Sequence, residues 1–93
     1  MPRPQRLRKI RANPNSHYFK PQGIPMRDLE EIVLLHDEWE AIRLKNCENL
    51  QQVSAAKKMG ISQSTFQRIL ASAYAKISQA IVEGKAIRIP RQE

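Results

Sequence analysis

A group of uncharged hydrogen-bonding side chains lies at the start of the longest predicted helix. Gln63, Ser64 and Gln67 fall on the face opposite its apolar residues, and no acidic residue shares that face. In the major groove of DNA, glutamine can pair with adenine through two hydrogen bonds, and serine can bond to several bases. We therefore predict that these three side chains contact base edges.

Basic and polar side chains around this group are predicted to contact phosphates, which position a protein on the duplex. They are Gln52, Lys57, Lys58, Ser62 and Arg68 in the helical part, and Arg3, Arg6, Arg8, Lys9 and Arg11 near the N-terminus. The 93-residue chain has 16 Lys and Arg against 9 Asp and Glu, a net charge of +7. The positive charge is concentrated towards both ends, and segregated charge of this sign steers a phosphate backbone onto one face.

Two helices joined by a short turn must position these side chains. Ala56 is small enough for the helices to cross closely, Gly60 supplies the turn, and Ser62 supplies an N-cap oxygen for the second helix. The second helix has an apolar stripe at steps of three and four, namely Phe66, Ile69, Leu70, Ala73, Ile77 and Ile81. This pattern predicts a helix-turn-helix unit over about 51–83, with a plain helical hairpin as the alternative.

The N-terminal segment 1–25 is predicted to be an extended basic arm, and residues 26–93 are predicted to form the helix-turn-helix domain. Five of the six prolines lie in the arm, and proline removes backbone donors and disfavours helix. We expect the rings of His17, Tyr18 and Phe19 to anchor the arm on the core. Basic arms of this kind can lie in a minor groove, where arginine senses narrow A·T tracts.

Short strands are predicted over 31–35 and 86–89, because both segments contain β-branched residues in short apolar or alternating runs. They can pair within one chain or between chains. A further helix is predicted over 38–46, with Asp37 and Glu40 at the spacing of a capping box. Its core-facing residues are expected to be Trp39 and Ile42. The fold class is therefore mainly α, with a small strand element.

Several motifs resemble known families. The segment Met59–Leu70 is similar to the DNA-reading unit of sigma-factor region four and of phage-type repressors. Nearly the whole chain resembles the small prokaryotic family known as domain of unknown function one-three-four, through Met1–Pro4, Tyr18–Pro25, Asp37–Leu44 and Gly84–Ile89. The resemblance implies a DNA-binding, sigma-region-four-like helix-turn-helix protein without an established target. Gln51 stands where the family tends to have a Ser or Thr cap, and Val53 where it tends to have an acid, so the first helix is expected to begin less firmly.

Residue types that support other functions are scattered. The sequence has no glycine-rich phosphate loop, nucleophile elbow or dinucleotide fingerprint, so we expect neither an enzyme nor a cofactor. His17, His36 and Cys47 are too far apart in sequence for a recognisable metal site. We expect a half-buried, inert thiol at Cys47. The acidic residues Glu30, Glu31, Glu38 and Glu40 are expected on the helix surface. With a single cysteine, no long apolar run and no signal peptide, we expect a cytoplasmic protein.

Taken together, these patterns predict a sequence-specific DNA-binding protein, a transcriptional regulator with its recognition helix starting near Ser62. One unit reads few base pairs, so we expect a homodimer on two half-sites about 34 Å apart, or a multiple. The expected dimer surfaces are the tail of the long helix and the terminal strand, unless the tail packs only within its own chain. The alternative function is a sigma-like module that docks on the transcription machinery, RNA polymerase included. RNA binding is less favoured, because few aromatic residues are available to stack on bases.

Overall fold

The computed structural model describes residues 12–91. The predicted phosphate contacts of Arg3, Arg6, Arg8, Lys9 and Arg11 therefore lie outside the described residues. Within the described part the elements are β1 (Tyr18–Phe19), a 3-10 turn (Met26–Asp28), β2 (Glu31–Val33), α1 (His36–Ile42) with a π-helical continuation (Arg43–Cys47), α2 (Gln52–Met59), α3 (Gln63–Glu83) and β3 (Ala86–Arg88). This confirms the predicted mainly α class with a small strand element. No described helix is both long and apolar enough to cross a membrane.

The turn between α2 and α3 has the geometry that the sequence predicts. Gly60 lies in the left-handed region at φ +71°, where a side chain would be strained. Its N–H donates to the Lys57 carbonyl at 3.0 Å, and the next N–H, of Ile61, donates to the Ala56 carbonyl at 3.0 Å. The Ser62 hydroxyl then accepts from the N–H of Thr65 at 3.1 Å. These three hydrogen bonds pair backbone groups that the end of α2 and the start of α3 would otherwise leave unsatisfied.

One apolar cluster holds the two helices together. Phe66 of α3 is completely buried and packs in a cluster with Ala56 and Met59 of α2. The small side chain of Ala56 lets the helices approach, as predicted. The other members of the cluster are Ala41, Leu44, Ala55, Ile69 and Leu70. Because these side chains fill the space beneath α3, its opposite face is left for solvent.

The end of α3 departs from the predicted apolar stripe. Ile77 is partly buried against a second cluster, but Ile81 is 73% exposed. The last turn of the helix contacts the rest of the chain through Ala80, which is buried. The sheet beside it is only a few residues wide, so it covers one side of this turn and leaves Ile81 outside the core. Gly84 ends the helix with φ +68°, as expected.

The three strands form one sheet in the order β1-β3-β2. β3 is antiparallel to β1, with Phe19 opposite Ile87, and parallel to β2, with Ile32 opposite Ile87. The predicted pairing of segments 31–35 and 86–89 therefore occurs within the chain. Because both edges of β3 are hydrogen-bonded in the chain, this strand has no edge left for sheet pairing with a second copy, and its expected place in a dimer surface stays a prediction.

The expectation that the rings of His17, Tyr18 and Phe19 anchor the arm holds for His17 and is wrong for Tyr18 and Phe19. Tyr18 and Phe19 are 52% and 54% exposed. The segment is held instead by the pairing of β1 with β3 and by His17, whose Nδ1 lies 2.8 Å from the Ile89 carbonyl oxygen. Backbone hydrogen bonds attach a strand whatever its side chains are, so ring identity was a poor guide here.

The first helix begins and ends differently from the predicted 38–46. It begins at His36, and the N–H of its N-cap residue Leu35 donates to the Glu38 carboxylate at 2.8 Å, so the predicted capping box of Asp37 and Glu40 is wrong. Its π-helical continuation carries the turn to Cys47, which is exposed rather than half-buried. Trp39 and Ile42 are partly buried and pack against the second cluster, close to expectation. The buried members of that cluster are Leu34, Ala73 and Ile89.

Candidate nucleic-acid interface

The first turns of α3 present the three predicted base-reading side chains to solvent. Gln63, Ser64 and Gln67 are all exposed, while Phe66 between them is completely buried. Gln63 and Gln67 are four residues apart, so they lie on the same face, roughly 6 Å apart along the helix. Side chains placed in this way are accessible to neighbouring base pairs, and the base contacts themselves stay a prediction.

The N-terminus of α3 is ordered by a small hydroxyl network. Besides capping the helix, the Ser62 hydroxyl donates to Thr65 Oγ1 at 2.9 Å and lies 3.2 Å from Ser64 Oγ. Ser62 is exposed, so its oxygen still has solvent on one side. The first N–H groups of a helix attract phosphate because they are unpaired and carry the positive end of the helix dipole. The predicted contact of Ser62 with the DNA phosphate backbone is compatible with this position.

A basic rim borders the exposed face. Lys57 and Lys58 lie in the last turn of α2 and Arg68 in the second turn of α3, and all three are exposed. Within residues 12–91 none of the three forms an ion pair with a carboxylate. Gln52, also predicted to contact phosphate, is half-buried at the first position of α2. Its N-cap neighbour Gln51 makes no side-chain cap hydrogen bond, in agreement with the expected weak start of this helix.

The most important residue that the sequence analysis misplaced is Glu38. It was expected on the helix surface, yet it is only 4% exposed. Its carboxylate accepts hydrogen bonds from Ser72 Oγ at 2.5 Å and Lys76 Nζ at 2.8 Å, both on α3, in addition to the Leu35 N–H. Glu38 therefore fastens α1 to α3 and fixes the orientation of the helix that carries the exposed glutamines.

The hydrogen bonds of Glu38 determine its ionisation. Burial alone would raise the pKa of this carboxyl, but the hydrogen bonds from Lys76, Ser72 and the Leu35 N–H outweigh burial and hold the pKa below its ordinary value. The side chain is thus an anion at neutral pH. The sequence contains a weak indication of this burial, since Glu38 lies next to Trp39, and Ser72 and Lys76 are four positions apart on one face of α3. No spacing rule, however, connects Glu38 with residues so far along the chain.

Glu40 is the second carboxylate that was wrongly expected on the surface. It is 1% exposed and accepts from Arg43 Nε at 2.8 Å and Nη2 at 2.9 Å. Two parallel hydrogen bonds of this kind match the planar guanidinium and are stronger than single ones. Arg43 also reaches Glu48, with Nη1 3.3 Å from its carboxylate, so it links α1 to the end of the π-helical segment.

The acidic and metal-ligating residues do not form a further site. Glu30 and Glu31 are exposed and pair with Lys85 and Arg88. Among the described residues no group of three or more His, Cys, Asp or Glu is placed to hold a metal ion.

These features define a class: the chain is a small, mainly α protein built on a helix-turn-helix arrangement, with a three-stranded sheet closing its other side. It belongs to the family described as "Protein of unknown function DUF134", which it matches over residues 1–92. The family resemblance expected from the sequence motifs is confirmed.

Its relatives are similar over nearly its full length. The UPF0251 protein TTE1845 of Caldanaerobacter subterraneus subsp. tengcongensis is 53% identical over 89 residues, which are 96% of this chain and 75% of the relative. UPF0251 proteins of Moorella thermoacetica and Desulforudis audaxviator are 52% and 51% identical over 96% of this chain. The chain spans 60% and 58% of the length of those two relatives. No solved structure shows significant similarity to it.

Proposed function

We propose that this protein is a sequence-specific DNA-binding regulator of transcription that places the first turns of α3 in the major groove, in the manner of the sigma-region-four unit that its sequence resembles. The observation that carries the proposal is the alternation on this helix. Gln63 and Gln67 are exposed while Phe66 is completely buried, so the side chains that suit base edges are those that a groove would meet.

The distribution of charged residues also supports placing the exposed face of α3 against DNA. No acidic residue lies between Glu48 and Glu83, a stretch that includes the whole of α2 and nearly all of α3. Lys57, Lys58 and Arg68 border the exposed face without an intramolecular carboxylate among the described residues. Phosphates can thus approach from either side of the base-reading residues without repulsion, which is how a protein is held in register on a duplex.

Selection of DNA from a random pool, followed by sequencing, tests the proposal. Enrichment of a defined motif is expected. The variant Gln63→Ala/Gln67→Ala is expected to lose at least about 30-fold in preference for that motif, because each of the two bidentate base contacts contributes about 1–3 kcal/mol of discrimination. Its non-specific binding should persist. The matched control is Gln79→Ala, which alters an exposed glutamine near the other end of the same helix.

Two outcomes would contradict base reading. A pool that yields no enriched motif would remove sequence specificity. A double variant that binds DNA as the wild type does, while the protein captures RNA polymerase, would instead identify a module that docks on the transcription machinery. The distinction depends only on the glutamines, since both functions would use the same helix-turn-helix scaffold.

The phosphate contacts have a separate signature. Replacing Lys57, Lys58 or Arg68 by glutamine is expected to weaken binding to all sequences alike and to reduce the slope of log affinity against log salt by about 1 for each charge removed. Arg27→Gln is the control, because Arg27 is an exposed base in the 3-10 turn outside the helix pair. If the control lowers the slope as much as the three variants do, the basic rim is not the contact surface.

A further inference from the structure

The second half of α3 exposes a face without charged side chains. Between Arg68 and Glu83 the only charged residue is Lys76, and it points to the other side of the helix, where it binds Glu38. The exposed face consists of Ala71, Tyr74, Ala75, Ser78, Ile81 and Val82. The two adjacent β-branched residues, Ile81 and Val82, are 73% and 82% exposed. In a chain of which 27% is charged, such a face is expected to be covered by another apolar surface.

An apolar groove adjoins this face. It has a volume of about 280 Å³, and its apolar lining includes Phe19, Ala80, Ile81, Gly84 and Ile87. The lysines at its rim are already engaged. Lys85 lies 3.0 Å from the carboxylates of both Glu30 and Glu83, and Lys20 Nζ donates to the Ile24 carbonyl at 2.7 Å. The groove is therefore poorly suited to an anion and better suited to an apolar side chain.

We propose that the occupant is a second copy of this chain, with the outer faces of the two α3 helices packed antiparallel about a two-fold axis near Ser78. About this axis Ile81 and Val82 of each copy lie opposite Ala75 and Tyr74 of the other, with Tyr74 near the groove beside Phe19. One surface therefore supplies both halves of the contact, which is what a two-fold interface requires. Ala75 and Ser78 are small enough for two helix backbones to approach closely at the axis.

Charge disfavours contacts between the basic surfaces of two copies. Two copies with a net charge of +7 each repel wherever their basic surfaces face each other. The uncharged half of α3 is where they can meet without that cost. The exposed parts of Tyr74, Ile81, Val82 and Phe19 sum to a few hundred Å² per copy, against about 800 Å² per partner in a standard interface. We therefore expect a dimer of moderate affinity, in the micromolar range.

Sedimentation equilibrium without DNA tests the dimer independently of any DNA binding. The wild-type protein is expected to associate reversibly at micromolar concentrations. Val82→Glu should raise the dissociation constant at least roughly tenfold, because it places two like charges in an apolar interface. Val53→Glu is the matched control, since Val53 is a 53% exposed valine of α2 outside this face. A wild-type protein that stays monomeric throughout, or a control that weakens association as much as Val82→Glu, overturns the proposal.

Cross-linking supplies a measurement that does not depend on a disruptive charge. In a Cys47→Ser background, which removes the exposed native thiol, Ser78→Cys should give a covalent dimer with a short bis-maleimide reagent. Ser54→Cys, an exposed serine of α2, should give none. Equal cross-linking at both positions, or cross-linking at position 54 alone, would refute packing near Ser78.

Discussion

Replacing Glu38 by glutamine removes the charge that fastens α1 to α3 and keeps the shape of the side chain. The amide oxygen can still accept from Ser72 or the Leu35 N–H, but the charge-assisted bond to Lys76 is lost, and such bonds contribute about 1.5–3 kcal/mol. Orphaning a fully buried partner costs about 3–5 kcal/mol. Lys76 is 30% exposed and can turn towards water, so the lower range applies. We expect Glu38→Gln to lower the free energy of unfolding by about 2 kcal/mol at pH 7 and the Tm by about 10 °C.

The pH dependence of this loss provides the sharper test. Because the pKa of Glu38 is lowered in the folded chain, its contribution to stability is fully present above the ordinary pKa of a glutamate and is lost as the pH falls through the folded value. Urea unfolding followed by circular dichroism at pH 7 and pH 3 should therefore show the wild type and Glu38→Gln converging at low pH. Glu48→Gln is the matched control, as Glu48 is 55% exposed and pairs with Arg43 at 3.3 Å, and it should change stability by at most about 0.5 kcal/mol. A loss for Glu38→Gln no larger than that of the control, or a loss that is equal at both pH values, would refute the reasoning.

Three further predictions concern the parts around the helix pair. Arg43→Lys breaks the two hydrogen bonds to buried Glu40 and should lower the free energy of unfolding, measured in urea, by about 1–2 kcal/mol. A loss no larger than that of an arginine-to-lysine substitution at an exposed position would contradict the pairing. Gly60→Ala forces a side chain into the left-handed turn, and Ser62→Ala removes the N-cap of α3. Each variant should lower the free energy of unfolding by about 1 kcal/mol and lower the Tm accordingly, and an unchanged Tm would argue against this turn geometry. If five to seven phosphates are neutralised on binding, the slope of log DNA affinity against log salt concentration should be roughly −4.5 to −6. Deletion of residues 1–11 should make this slope less steep, whereas an unchanged slope would indicate that the arm does not contact phosphates.

The helix pair could be predicted from the sequence because its signals are local. Gly60, the Ser62 cap and the apolar spacing around Phe66 each act within one or two turns of helix, and the structure places all three as expected. The apolar pattern also extends to Ile81, which it wrongly predicts to be buried. Periodicity shows which face a residue is on, but not whether the rest of the chain extends far enough to cover it.

The buried carboxylates could not be predicted for a different reason. A glutamate is normally a surface residue, and the side chains that make burial of Glu38 tolerable, Ser72 and Lys76, are 34 and 38 positions away. Similarly, the register of β1 on β3 depends on backbone hydrogen bonds between the two ends of the chain. The spacing of neighbouring residues does not show which of these distant residues pair, and the glutamines that are proposed to read DNA depend on such pairings for their orientation.

The position of β3 in the middle of the sheet has a consequence for synthesis of the protein. During translation the helices can form from local contacts as they leave the ribosome, but both outer strands must wait for a partner that is made after all three helices. A chain that stops before residue 86 would leave Leu34 and Ala73 without Ile89, which buries them in the complete fold. Copies that end before β3 should therefore expose apolar surface and be more readily degraded by proteases than copies that contain this strand.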